Sequence, residues 1–295
     1  MTSEPIAAEV LAVIVALVDG EPCVLTLPDA PRLPAGPLLP GHRSLQTAVR
    51  AWVEEQTGLR IGYLEQLYTF ADRDREGGGT RTISVSYLGL VRGLRARAGQ
   101  WRHWYALFPW EDQRAGDALL TGTVAPALQP WMRDGGRSRR ERCAITFGLD
   151  GRAWQPDLTL QRYEVLYEAG LVPESPVDRR RGVLVPGERL DGDHRRVLAT
   201  GIARLRAKIQ YRPVVFELLP PQFTLGQLQG CVEALAGRVV HTQNFRRLVE
   251  QQQLVEETGG RAGTGGRPAR LYHFRRDVLQ ERQAAGTKLP AARAR

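Results

Sequence analysis

Residues 223–274 read FTLGQLQGCVEALAGRVVHTQNFRRLVEQQQLVEETGGRAGTGGRPARLYHF, and this stretch decides the fold of the C-terminal part of the chain. Thr224 is a suitable N-cap for a first predicted helix, and Gly237 is a suitable stop at its other end. Between them the apolar residues recur at three- and four-residue spacing: Leu225, Leu228, Val232 and Leu235.

A second helix is predicted to begin at Thr242. Its inner face carries Phe245, Leu248, Val249 and Gln252, and its other face carries amide and guanidinium groups. Two short strands follow, one around 254–255 and one over 270–274, joined by a loop over 258–268 that is rich in glycine and arginine. This order of helix, turn, helix and basic hairpin predicts a winged helix-turn-helix domain.

The polar face of the second helix carries the side-chain types that read DNA. Asparagine and glutamine pair with adenine, and arginine pairs with guanine, from a helix in the major groove. Arginines beside flexible glycines suit phosphate or minor-groove contacts from the hairpin. The predicted DNA-binding residues are Thr242, Gln243, Asn244, Arg246 and Arg247 on the helix, Arg261, Arg267 and Arg270 in the hairpin, and Lys208 in the preceding helix. The alternative is a small helical domain with a solvated basic face.

The charge of the chain favours a polyanionic partner. Its 295 residues include 41 lysines and arginines against 32 acidic residues, a net charge of +9. Eight arginines and three glutamates give residues 238–276 a net charge of +5. Such an excess increases affinity for nucleic acid and steers association, although it says nothing about the fold. The length and a hydrophobic content of 42% suit two packed domains.

Cysteine usage and hydropathy predict a cytoplasmic protein. Cys23, Cys143 and Cys231 are far apart and odd in number, which suggests neither a disulfide framework nor a zinc site. The apolar run over 10–18 is half the length that crosses a bilayer and lacks a basic start, so no signal or membrane segment is expected.

The N-terminal part, residues 8–150, has an α+β pattern. The β-branched run over 10–18 predicts a central strand, and 23–27 predicts its hairpin partner. A helix is predicted from Ser44, a plausible cap, to Gln56, with Gly58 ending it. Further strands are predicted over 64–70, 82–91 and 101–108.

The segment over 33–59, with LPAG followed by a helix and VEEQTGL, resembles the Nudix box. In that pattern Glu55 occupies the first position of the terminal Glu pair and Gln56 the second. The other signature positions are replaced: Trp52 stands at the leading Glu, Ala51 at the Arg, Arg43 at the upstream Glu and Pro37 at the Gly, with Gly36 one residue early. Magnesium requires oxygen ligands, so a single carboxylate predicts weak metal binding and at most residual hydrolysis. We therefore assign no catalytic or metal-binding residue.

A Nudix-like domain without its metal box, followed by a winged helix, resembles the Nudix-related transcriptional regulators of NAD metabolism (NrtR-like, with a proteobacterial NadQ-like branch as a second option). The stretches LEQLYTFADRDR, ISVSYLGLV, KIQYRPVVFELLP, NFRR and GRPARLY carry this resemblance. It implies a Nudix-like α/β/α sandwich that senses a nucleotide and a winged helix that binds operators. It also implies a homodimer, usually a repressor, whose effector is ADP-ribose or an adenine nucleotide such as ATP or ADP. The effector is a ligand, and no cofactor is implied.

The predicted effector site lies in the first domain. A nucleotide diphosphate needs cationic or backbone N–H partners, and an aromatic ring can stack on adenine. The candidates are Arg32, Glu55, Tyr68, Asp72, Arg73 and Arg75. The alternative is that Tyr68 and Phe70 pack in the core and that 72–75 form an exposed turn.

The helical stretch over 195–209 has two interpretations. Its apolar stripe suits the first helix of the winged domain, and it equally suits a linker helix that pairs across a dimer. The basic clusters at 137–142 and 179–181 are predicted to be solvated loops, with phosphate contact as the alternative, and QRYEVLYEAGLVPE is predicted to hold a short helix.

The predicted organisation is a Nudix-like domain over 8–150, a connecting segment over 151–194, a winged helix-turn-helix domain over 195–282 and a disordered tail over 283–295. The function hypothesis is a sequence-specific transcriptional regulator controlled by a nucleotide. Two alternatives stay open: a Nudix hydrolase with an accessory nucleic-acid-binding domain, and a non-specific nucleic-acid-binding protein.

Overall fold

The computed structural model describes residues 6–71, 81–92, 98–177, 184–263, 268–275 and 277. Within these ranges the strands are β1 (Ala7–Val18), β2 (Glu21–Thr26), β3 (Ala35–Pro37), β4 (Tyr63–Phe70), β5 (Thr82–Leu90), β6 (Gln100–His103), β7 (Val255–Ala262) and β8 (Ala269–Phe274). The α-helices are α1 (Leu45–Thr57), α2 (Trp104–Leu107), α3 (Ala125–Asp134), α4 (Gly136–Phe147), α5 (Thr159–Glu168), α6 (His194–Lys208), α7 (Leu225–Ala236) and α8 (Thr242–Gln251).

The first domain is an α/β/α sandwich around β1. The sheet has the order β4-β5-β1-β2-β6, with β3 beside β1, and β1 runs parallel to β5. Alternate residues of a strand point to opposite faces, so β1 contributes to two cores. Val13 shares one core with Ile202 of α6, and Ile14 shares the other with Val53 of α1. The predicted mixed α and β sandwich is therefore confirmed.

The predicted helix α1 has the expected ends. Ser44 accepts a hydrogen bond from the backbone N of Thr47 at 3.1 Å, and the Thr47 hydroxyl accepts one from the Ser44 N at 2.9 Å. Gly58 ends the helix in the left-handed region, with φ of 70°. Side-chain caps satisfy the free amides of the first turn, which explains why the sequence predicted this helix well.

Helix α6 packs between the sheet and the C-terminal domain. A Cβ on Gly201 would lie 2.9 Å from a methyl carbon of Val13, so the helix backbone lies directly on β1. Leu205 of α6 and Leu235 of α7 belong to the same core. The sequence grouped α6 with the winged domain or assigned it to a dimer linker, whereas in the structure it covers one face of the first sheet.

Two predicted elements of the first domain are wrong. The strand predicted over 101–108 ends at His103, and α2 follows, because Trp104, Leu107 and Phe108 bury one helical face at three- and four-residue spacing. The cluster over 137–142 is part of α4 and not a loop. Cys143 and Phe147 anchor that helix in the core. The cluster over 179–181 and the tail over 283–295 lie outside the described residues.

The C-terminal helices and hairpin follow the predicted order. The wing differs in one respect: β7 continues to Ala262, so the predicted loop beginning at Thr258 is wrong. Arg261 pairs with Arg270 across the hairpin, and a β-bulge between Glu257 and Arg261 accommodates the glycines. None of the helices in the described ranges has the length and apolarity needed to span a bilayer.

Candidate nucleic-acid interface and effector site

Helix α7 supports α8 and is itself held by a complete capping box. The Thr224 hydroxyl accepts from the Gln227 N at 3.1 Å, and the Gln227 side-chain oxygen accepts from the Thr224 N at 2.8 Å. Leu228 and Leu235 bury the inner face of the helix. Gly237 ends it with φ of 68°. These features define the start and the end of α7 locally.

The turn between α7 and α8 is held by side chains of α7. The Glu233 carboxylate accepts from the Val240 N at 2.9 Å and from the Gln229 side-chain amide at 3.0 Å. The same amide lies 3.1 Å from the Thr242 hydroxyl. Thr242, predicted to contact DNA, therefore also orients α8 through its side chain.

Helix α8 presents a nearly continuous polar surface to solvent. Val249 is the buried residue of this helix, and Phe245 is half-buried. The predicted residues Gln243, Asn244, Arg246 and Arg247 are all exposed. With a rotation of about 100° per residue, Asn244 and Arg247 lie opposite Val249.

Two residues of α8 differ from the sequence analysis. Gln251 lies seven positions after Asn244, on the same exposed face, and sequence reasoning missed it although this spacing signals a shared face. Leu248 was assigned to the inner face, but 50% of its surface is exposed. The inner face is narrower than predicted because α8 joins the core through Val249 and Phe245.

The wing carries two exposed arginines. Arg261 and Arg270 are register partners, and both are exposed. Arg270 also forms an ion pair with Glu257 at 3.0 Å, which leaves Arg261 as the more available cation of the two. Phe223 and Tyr272 exchange backbone hydrogen bonds of 3.0 and 2.8 Å, so the hairpin is anchored to the start of the domain. The predicted contact Arg267 lies outside the described residues.

Lys208 is engaged by the first domain. Its ammonium donates to the Tyr63 hydroxyl at 2.8 Å and forms an ion pair with Glu65. Both partners are in β4, at the edge of the sheet. The structure therefore does not group Lys208 with the exposed residues of α8, because α6 belongs to the sandwich.

Two side chains of α1 hold strand β3. The Gln56 side chain donates to the Ala35 carbonyl at 2.8 Å and accepts from the Ala35 N at 3.2 Å. Trp52 donates from Nε1 to the Pro37 carbonyl at 3.0 Å, and its ring lies so close to Gly36 that an added Cβ would be 2.3 Å away. Within the described ranges, no three His, Cys, Asp or Glu side chains come together as metal ligands would.

Arg32 lies beside the start of α6. Its backbone carbonyl accepts from the Leu27 N, and its side chain is exposed. Next to it, the Leu33 N donates to Nδ1 of His194 at 3.0 Å. Burial, and then the charge of Arg32, lower the pKa of His194 to about 4. The imidazole is therefore neutral near pH 7 and serves as a hydrogen-bond acceptor.

Tyr68 is the exposed aromatic of β4. The residue is 58% exposed, and its ring makes an edge contact with Phe70 at 5.1 Å between centroids, while Phe70 is buried. The alternative that both rings pack in the core therefore holds for Phe70 alone. Glu55 is exposed on α1, and Asp72, Arg73 and Arg75 lie outside the described residues.

The sheet aligns Tyr68 with the loop that carries Arg32. The Ser86 hydroxyl donates to the Tyr68 carbonyl at 2.8 Å, Ser86 is the register partner of Leu11, and Leu11 is the register partner of Ala35. Tyr68 and Ala35 thus stand in one row, three strand spacings or about 14 Å apart. A shallow groove of about 480 Å³ over 38–45 lies at the start of α1 and is not lined by the predicted effector residues.

A buried ion cluster joins α5 and α6 to the segment that follows α2. The Glu111 carboxylate accepts from Arg162 Nε at 2.5 Å and from the Thr159 hydroxyl at 3.0 Å, and it also contacts Arg206 of α6. The side chains of the three charged residues are at most 1% exposed. Burial opposes ionisation of Glu111, but the two arginines outweigh it and lower the pKa of that carboxyl.

Arg206 also holds the last turn of α7. Its Nε donates to the Leu235 carbonyl at 2.8 Å, and its Nη2 donates to the Tyr105 hydroxyl at 3.2 Å. Tyr105 in turn donates to the Ala234 carbonyl at 2.5 Å. Carbonyls at the end of a helix lack intrahelical partners, and here two of them are satisfied by the first domain. Sequence reasoning missed this role. Arg206 lies four residues after Ile202 and therefore on the same face of α6, and this spacing was the available signal.

Comparison with known proteins identifies the family that the C-terminal domain matches. Residues 215–274 match the model of the NrtR DNA-binding winged helix domain. The chain is 39% identical over 82 residues to the ADPR responsive transcriptional repressor NtrR of Acinetobacter baylyi, an alignment that covers 28% of this chain and 33% of that protein.

Solved structures share the fold over most of the chain. NrtR of Shewanella oneidensis complexed with a 27mer DNA aligns with a TM-score of 0.58 and 21% identity, covering 92% of this chain and 95% of that one. A MutT/nudix family protein from Enterococcus faecalis aligns with a TM-score of 0.52 and 17% identity, covering 93% and 88%. The arrangement of sandwich and winged helix is therefore common to these proteins.

Proposed function

We propose that this chain, whose residues 215–274 form an NrtR DNA-binding winged helix domain, is a sequence-specific transcriptional repressor controlled by a nucleotide. The observation that carries the proposal is the exposed face of α8, where Asn244, Arg247 and Gln251 stand together, with an arginine-bearing wing following in the chain. The name of the Acinetobacter relative supports ADP-ribose as the effector. The family resemblance supports genes of NAD metabolism as targets and a homodimer as the binding unit.

The exposed face of α8 suits major-groove reading. Asn244 and Gln251 can each make paired hydrogen bonds to adenine, and Arg247 can do so to guanine. Arg261 of the wing makes contacts of a different kind, because an arginine on an exposed hairpin neutralises phosphate whatever the sequence. A dimer would place two such surfaces on two half-sites.

The first domain serves as a sensor in this proposal. Trp52 and Gln56 stand where the Nudix box has carboxylates, and both are hydrogen-bonded to β3. Among its exposed residues, Arg32 suits the diphosphate of the effector, and the ring of Tyr68 suits adenine. Hydrolysis stays the second candidate, because Glu55 keeps one carboxylate of the box.

Helix α6 provides the route from effector to DNA. His194, at its first residue, accepts a bond from the Arg32 loop, and Arg206, twelve residues later, holds the end of α7. A helix rises about 1.5 Å per residue, so these contacts are about 18 Å apart on one rigid element. A shift of the loop on effector binding would reach the α7–α8 pair through Arg206 and Tyr105.

The test of DNA reading is a binding titration at constant salt on DNA upstream of the gene for this protein. Asn244→Ala should weaken operator binding about 5- to 150-fold and leave random DNA almost unchanged, as expected for a base contact. Arg152→Ala, at an exposed arginine of the connecting segment, is the control. Equal binding of wild-type protein to operator and random DNA would refute the proposal.

The test of sensing adds ADP-ribose, ATP, ADP or NAD to the same titration. The ratio of operator Kd values with and without effector measures the coupling. Tyr105→Phe should bring this ratio closer to one while effector affinity without DNA is kept, and Tyr211→Phe, at an exposed ring, should change neither. Magnesium-dependent turnover of ADP-ribose that Glu55→Gln abolishes would instead support the hydrolase.

A further inference from the structure

Leu248 is an apolar residue on the exposed side of a helix whose inner face is complete without it. Val249 is 5% exposed and Phe245 is half-buried against the core, whereas 50% of Leu248 is exposed. The hydrophobic contact between α8 and the rest of the domain therefore does not require this leucine.

The position of Leu248 places it among the predicted base-reading residues. Counting about 100° per residue, its side chain is rotated about 40° from Asn244 and about 60° from Gln251. It follows Arg247 directly. A ligand that covers the exposed face of α8 would thus cover Leu248 together with these polar groups.

We propose that Leu248 selects a thymine by packing on its methyl group in the major groove. The inference rests on the proposed function, because it assumes that α8 enters the groove. An isobutyl side chain forms no hydrogen bond, and the thymine C5-methyl is the apolar group that the major groove displays. Leu248 lies four residues, or about 6 Å, along the helix from Asn244, so its thymine belongs about two base-pair steps from the base that Asn244 reads.

The experiment replaces each operator thymine in turn by deoxyuridine, which removes the methyl group alone. For wild-type protein, one replacement per half-site should raise the Kd about fourfold, the effect of one buried methyl group. Leu248→Ala should bind the thymine and uracil operators equally. Leu248→Met should retain much of the discrimination, and Asn244→Ala should retain it fully while binding more weakly.

The outcomes separate this inference from the proposed function. If wild-type protein binds the operator specifically but no uracil replacement weakens it, or if Leu248→Ala discriminates as wild type does, Leu248 does not read thymine. A Leu248→Ala effect on the dimer dissociation constant without any thymine dependence would assign the residue to a dimer contact. Absence of specific operator binding by wild-type protein would overturn both conclusions.

Discussion

Replacing Glu111 by glutamine is expected to destabilise the protein strongly, because it removes the counter-charge of two buried arginines. The carboxylate contacts Arg162 and Arg206, and all three side chains are almost fully buried. Glutamine has nearly the same shape and keeps one oxygen acceptor, so the change is one of charge. In the variant no carboxylate faces the two guanidinium groups, and their remaining acceptors are neutral oxygens.

The expected loss is about 4 kcal/mol of unfolding free energy, since removal of one partner from a buried pair costs about 3–5 kcal/mol. In a protein of this size such a loss lowers Tm by about 10 °C. The second variant, Glu111→Gln with Arg206→Met, should lose less than the sum of the two single changes, because it removes one unpaired charge.

Urea unfolding followed by tryptophan fluorescence and circular dichroism measures these values. Glu168→Gln is the matched control, since it neutralises the exposed ion pair with Arg142 and should cost less than about 1 kcal/mol. The pH dependence of unfolding is a second readout. The lowered pKa of Glu111 contributes stability above about pH 4.5, and this contribution is lost as the carboxylate is protonated in acid. The glutamine variant should lack this acid-dependent loss of stability. Equal stability of Glu111→Gln and Glu168→Gln would refute the role of the cluster.

Three further predictions concern other sites. Because the pKa of His194 is lowered to about 4, the unfolded chain takes up a proton at a higher pH than the folded chain does. The free energy of unfolding should therefore fall by up to about 3 kcal/mol from pH 6.5 to pH 4. His194→Gln should reduce this pH dependence in melting experiments. Gln56→Ala removes two hydrogen bonds to Ala35 and should lower the free energy of unfolding by about 1–3 kcal/mol, with faster hydrogen exchange in β3. Unchanged exchange would show that Gln56 does not hold this strand. Arg261→Ala should weaken all DNA binding alike and reduce the salt slope by about one, whereas a loss confined to the operator would make it a base contact.

The local chemistry of the sequence determined the elements with strong ends and regular periods. Ser44 and Thr224 form capping boxes, and Gly58 and Gly237 end their helices in the left-handed region. These signals act over a few residues, so they are readable without any knowledge of packing. The same holds for the order of helix, turn, helix and hairpin that predicts the winged domain.

The tertiary structure alone decided which surfaces face solvent and which residues connect the domains. Leu248 has the spacing of an inner residue but is exposed, because the area that α7 covers on α8 depends on how the helices cross. Arg206 and Lys208 look alike in the sequence as basic residues near the end of a helix. Arg206 is buried against Glu111 and α7, whereas Lys208 pairs with Glu65. The two differ because α6 packs both on the sheet of the first domain and beneath α7. Lys208 and Glu65 are 143 residues apart in the chain, and local sequence patterns carry no information about contacts of that separation.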